Sequence, residues 1–242
     1  MSRRSFHTPT GRAVTAVTAD EMRDVDRVAV DDVGLQLLQM MENAGRVLAW
    51  HVRDVRDGDV VVVAGNGGNG GGGLACARHL ANRGVSVRVR LDSHPEELSG
   101  AAAHQYRILD EMDVPTDTAP EVGGDERPTV VDALIGYGLA GDVRPPAQGY
   151  IEQMNDARGP VVSLDVPSGV DATTGEPLGT AVRPDRTVTL ALPKVGLASV
   201  PGRLYLADIG IPEVVYNRLE IPYTTPFDEQ DWVEVRPPEG SE

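Results

Sequence analysis

Two spacings of apolar residues alternate along this chain. From residue 18 to 56 they return every three or four positions, as Leu37, Leu38, Met41, Ala44, Val47 and Leu48 do in LQLLQMMENAGRVLAWHV. That is the repeat of a helix with one buried face. The region opens at Thr18 with Glu21 three residues later, the spacing of a capping box. DVVVVAG (59–65) then breaks the pattern with a continuous β-branched run, which reads as a strand buried on both faces. Beyond a glycine tract, LACARHLANRG (74–84) predicts a helix closed by Gly84, and VSVRVRL (85–91) a second strand. Residues 96–112 and 147–159 predict further helices. Residues 129–136, 160–169, 186–193 and 203–212 predict further strands, the last two without a long helix between them.

Strands alternating with helices imply right-handed crossovers and a mainly parallel sheet covered on both faces, an α/β fold. We expect one domain over residues 18–215. A flexible N-terminal segment (1–17) precedes it, and an acidic, Pro-rich tail (216–242) that packs loosely or frays follows it. PEVGGDERP (120–128) reads as a surface loop.

Composition narrows the partners. With 37 acidic and 22 basic residues the formal charge is −15, which argues against nucleic-acid backbones and anionic membranes. No apolar stretch reaches the roughly 18 residues of a membrane helix, and the basic start lacks the apolar core of a secretory signal. A cytoplasmic location is expected. The single cysteine, Cys76, excludes an internal disulfide and reads as a buried structural thiol. Arginine supplies nearly all the positive charge, and Lys194 is the sole lysine. The bias fits a protein of a high-salt cytoplasm or an ordinary acidic protein of a GC-rich genome, and it singles out Lys194.

The unusual sequences fall at strand ends, where open parallel sheets bind ligands. Residues 65–73 are glycine except for Asn66 and Asn69. Between a strand and a helix, such a tract leaves backbone N–H groups bare at a helix N-terminus, a geometry suited to phosphate. Asp132 in VVDALIG and Asp165 in VSLDVPSG set carboxylates in apolar strands, where an unpartnered charge is costly. Asn69, Asp132 and the Ser168 hydroxyl offer hard oxygen ligands suited to an alkali or alkaline-earth cation rather than zinc. Asp92 follows the glycines at the distance of a ribose-binding acid, so spacing alone leaves a dinucleotide-dependent dehydrogenase open.

MMENAGRVLA, GNGGNGGGGLACARHL, VVDALIGYGL, VVSLDVPSGVDATTGE and TVTLALPKVGL resemble, in that order, the motifs of the YjeF N-terminal domain family, the NAD(P)H-hydrate epimerases. The resemblance runs over about residues 18–210. It implies a three-layer, Rossmann-like sandwich that forms a homodimer. The implied activity interconverts the R and S forms of NADHX and NADPHX, the hydrated and damaged nicotinamide cofactors. It implies that Gly68, Asn69, Gly70, Gly71 and Gly72, together with Gly136, Tyr137, Gly138, Leu139, Ala140, Gly141 and Asp142, hold phosphates and ribose. Asp165 then contacts the reacting end of the substrate as the catalytic group, with Lys194 beside the same cleft. Asn69, Asp132 and Ser168 hold a potassium ion (K+). A dehydratase that removes the S hydrate would be a separate protein. The family's loop carries asparagine and aspartate where this chain has Gly68 and Gly72, and threonine is common at the place of Tyr137. A non-catalytic module binding a nucleotide-like ligand on the same fold is the alternative.

Overall fold

The computed structural model describes residues 5–123 and 127–238. Parts of the expected N-terminal segment, of the 120–128 loop and of the tail (1–4, 124–126 and 239–242) lie outside the described residues. In chain order the elements are β1 (Ser5–His7), β2 (Ala13–Thr15), α1 (Ala19–Arg27), α2 (Leu37–Val55), β3 (Val60–Ala64), α3 (Gly68–Ala81), β4 (Val87–Leu91) and α4 (Gly100–Asp110). Then follow β5 (Thr116–Asp117), β6 (Thr129–Ala133), α5 (Ala147–Asn155), β7 (Val161–Leu164), β8 (Arg186–Leu190), β9 (Arg203–Ala207), α6 (Glu213–Arg218) and β10 (Trp232–Val235). The capping box forms as expected: Glu21 N–H donates to the Thr18 hydroxyl, and Thr18 N–H donates to Glu21 Oε2 at 2.9 Å.

Eight strands form one sheet in the order β10-β9-β8-β7-β6-β3-β4-β5, parallel except for β10. The valine run of β3 follows from its central place. Val60, Val62 and Ala64 join the core under α2, α3 and α4, while Val61 and Val63 join the one under α5. Both faces are buried, so neither register of the pleat admits a polar residue. Cys76 is fully buried on α3, and burial pushes its thiol up, out of the reactive range.

The two ends differ from the expectation of flexibility. β1 and β2 pair with each other, and Phe6 and Val14 pack with Leu204, Leu206 and Val235. No long helix joins β8 to β9, and these terminal residues help to cover that part of the sheet instead. β10, in the expected tail, adds to β9 antiparallel. A short apolar strand on an open sheet edge loses less by ordering than it gains by burial, and the Pro-rich composition of its flanks masks this.

The glycine tract also differs. The expected loop is mostly helix, for α3 begins at Gly68. Interior glycines cost a helix roughly 0.5–1 kcal/mol each relative to alanine, so close packing must require them. A Cβ at Gly70 would collide with the Gly65 carbonyl, one at Gly73 with the Ala133 side chain, and one at Gly72 would lie 2.8 Å from Leu164 Cδ2. Much of the bare backbone therefore serves contact between α3 and the sheet.

Candidate active site

A cavity of about 570 Å³ opens at the carboxyl ends of β3, β6, β7 and β8. The start of α3 forms one wall. The first bond within this helix runs from Gly71 N–H to Gly67 O at 3.0 Å, and Gly67 supplies no side-chain cap. The preceding N–H groups lack an intrahelical partner, and the helix dipole favours an anion there. Met40, Met41 and Ala44 of α2 give the cavity an apolar side.

Asp165 stands one residue beyond β7 with a φ of 67°, a region in which an L side chain crowds the backbone. Val166 N–H donates across it to Leu164 O at 2.9 Å, which closes a three-residue γ-turn. The end of β8 repeats the device: Ala191 has a φ of 62°, and Leu192 N–H donates to Leu190 O at 2.7 Å. Such conformations cost on the order of 1–3 kcal/mol and persist where the surroundings enforce them. Here the carboxylate accepts from Lys194 Nζ at 2.5 Å, Tyr137 N–H at 3.2 Å and Leu190 N–H at 3.4 Å. Asp165 is 3% exposed and Lys194 1%, so the ion pair is desolvated and each member needs the other. The lysine also donates to Leu190 O at 2.9 Å and lies 5.6 Å from the Tyr137 ring centroid. Backbone bonds at 3.0 and 2.9 Å from Val17 to the residues flanking Lys194 hold it in place. The N-terminal segment thus positions the sole lysine.

Asp132 is built differently. It lies within β6, opposite Ser163 on β7, and is fully buried. Ser163 Oγ donates to it at 2.7 Å, Ser168 N–H at 2.9 Å, Ser168 Oγ at 2.5 Å and Leu134 N–H at 3.3 Å. Ile135 N–H in turn donates to Ser168 Oγ at 2.8 Å. The network ties the segment after β6 to the segment after β7 behind the cavity wall. Burial pushes the Asp132 carboxyl up, and the serine donors oppose that rise.

Of the residues expected to bind substrate, Gly68, Asn69, Gly72, Gly136, Tyr137, Gly138, Leu139, Ala140, Asp165 and Lys194 line the cavity. Gly70, Gly71, Gly141 and Asp142 do not form its wall; the first two sit where a Cβ would meet Gly65 and Met41. Among the three expected cation ligands, Asp132 and Ser168 are in direct contact, while Asn69 packs against Gly136 and its Nδ2 is buried without a partner.

Residues 37–196 match the family model described as YjeF-related protein N-terminus. The chain belongs to this family. The NAD(P)H-hydrate epimerase of Dehalogenimonas lykanthroporepellens is 44% identical over 234 residues, covering 92% of this chain and 93% of its own. The bifunctional NAD(P)H-hydrate repair enzyme Nnr of Salinibacter ruber is 39% identical over 228 residues, covering 84% of this chain; this chain spans 42% of that longer enzyme. The crystal structure of the yeast protein ynu0 superposes with a TM-score of 0.79 at 24% identity over 91% of this chain and all of its own, a likeness of fold.

Within this YjeF-type domain, the sequence reading missed Asp26. It lies on α1 and lines the cavity, where the Tyr137 hydroxyl donates to its Oδ2. The signal was available: Met22, Val25 and Ala29 form the buried stripe of the helical region, and position 26 falls on the same stripe. A carboxylate on an apolar helix face is the exception to read.

Proposed function

We propose that this chain is an NAD(P)H-hydrate epimerase, interconverting the R and S forms of NADHX and NADPHX. Its relatives' names support the activity, and one observation carries it to particular atoms: the strained Asp165 turn, ion-paired with Lys194 on the wall of a cavity that begins at a bare helix N-terminus. The N–H groups at the start of α3 receive the pyrophosphate. The reacting ring lies toward Asp165. Epimerisation removes the hydroxyl from the carbon beside the ring nitrogen as water, with a proton supplied to it. The nitrogen lone pair stabilises the resulting cation, and water adding to the other face returns a proton. Asp165 accepts and releases that proton next to the Lys194 ammonium.

Asn69, Asp132 and Ser168 would hold a potassium ion. Asp132, Ser168 and the Asn69 amide oxygen are hard donors, and the buried amide nitrogen of Asn69 has no partner to fix the side chain's orientation, so the residues fit such an ion. Bound there, it supplies positive charge near the anion-binding helix start. On this reading the protein acts as a homodimer, and a dehydratase activity consumes the S hydrate. The test mixes the purified protein with R-NADHX and an S-specific dehydratase. Faster consumption of the R form is expected. Binding of R-NADHX without acceleration overturns catalysis in favour of a ligand-binding module.

A further inference from the structure

Water must leave one face of the ring and enter the other, yet the proton chemistry above rests on a single carboxylate. The cavity wall holds a second. Asp26 comes from α1, on the far side of Tyr137 from Asp165. The Tyr137 backbone N–H donates to Asp165 Oδ2, and its hydroxyl donates to Asp26 Oδ2. The length of a whole tyrosine side chain therefore separates the two contacts. The carboxylates also have unlike surroundings. Asp165 meets an ammonium and two N–H donors, whereas Tyr137 is Asp26's one hydrogen-bond donor among the described residues.

Building on the epimerase reading, we propose that Asp26 is the second proton-handling group of this cavity, serving the ring face opposite the one that Asp165 serves. In one direction Asp26 gives its proton to the departing hydroxyl, which leaves as water with the C–O bonding pair. The ring nitrogen lone pair fills the vacancy at carbon. Water on the other face adds through an oxygen lone pair, and Asp165 takes its surplus proton. One water has left and one has entered, and a proton has moved from Asp26 to Asp165; exchange with solvent or the reverse turnover resets the pair. Burial holds the Asp26 carboxyl above its ordinary range, opposed by the Tyr137 hydroxyl and by Lys194 and reinforced by Asp165. That is the state a proton donor needs. The titratable and charged groups around Asp26 are Tyr137, Lys194 and Asp165 from the sheet side, Tyr216 from α6 and Arg23 on its own helix.

The experiment records kcat and KM against pH for the wild type, Asp26→Asn, Asp26→Glu and Tyr137→Phe, with melting curves for each. The wild type should give a bell, its alkaline limb set by loss of the proton from Asp26. Asp26→Asn should lower kcat about 100-fold with KM little changed and abolish the alkaline limb. Asp26→Glu should restore part of the rate. Tyr137→Phe removes a donor that stabilises the ionised carboxylate, so the alkaline limb should move to higher pH. If Asp26 only pins α1 to the sheet, Asp26→Asn will melt earlier yet keep the wild-type pH profile, and the proposal is overturned. A wild type that binds R-NADHX but does not epimerise it removes the epimerase reading and this one together, an outcome distinct from an active wild type matched by Asp26→Asn.

Discussion

Asp132 and Asp165 lie at the ends of neighbouring parallel strands, both nearly inaccessible to solvent. They are built differently. Asp132 keeps regular strand geometry and spends both oxygens on hydroxyl and amide donors that join two loops. Asp165 takes a strained turn, faces the cavity and shares its charge with a lysine. Burial of a carboxylate is therefore not by itself a sign of chemistry. What separates the two is the nature of the partner and the backbone cost accepted to present the group.

The sharpest way to break this contrast is Asp165→Asn. Asparagine tolerates the left-handed conformation but cannot exchange the proton, so turnover of R-NADHX should fall about 10²–10⁴-fold. Calorimetry should still find ligand bound by a cooperatively folded protein. An unchanged rate would erase the distinction between the two aspartates. Next is Asp132→Ala, which takes the acceptor from two serine hydroxyls and two backbone N–H groups in the interior. It should cost about 2–4 kcal/mol of stability in denaturant titrations; a loss below half a kcal/mol would mean that the network holds nothing.

A smaller effect concerns pH. The Asp132 carboxyl is raised from 3.8 in the fold, so the native state holds its proton where the unfolded chain has released it. That contribution is fully present below about 3.8 and is lost as pH rises through the folded value. Asp132→Asn lacks this dependence. Its stability deficit against the wild type should be greatest in acid and shrink toward neutrality, and a deficit that grows with pH would reverse the assignment. The smallest effect is a control on the cavity rim. Gly68 has open space around it, the nearest atom being Met41 Cε at 4.0 Å from an added Cβ. Gly68→Ala should therefore change stability by less than about 1 kcal/mol, in the stabilising direction.

The layered α/β order was legible because buried parallel strands write themselves as β-branched runs, as in residues 59–65, and the helices between them as repeats of three and four. Lys194 stood out because arginine is used everywhere else. Asp26 could be read as a carboxylate on the buried stripe of its helix, but its partner could not, because Tyr137 is 111 residues away. The terminal strands were missed for the same kind of reason: Phe6 and Val235 become core only when another segment leaves a sheet face open. Local chemistry along the chain was enough to determine the class of fold, the edge of the sheet that carries the cavity and most of the residue types that line it. Only the tertiary structure decided which aspartate is held behind the cavity wall and which faces the cavity, and that most glycines of the 65–73 tract make room for the protein's own chain. Those outcomes depend on distances between strands and loops remote in sequence, and no local spacing encodes them.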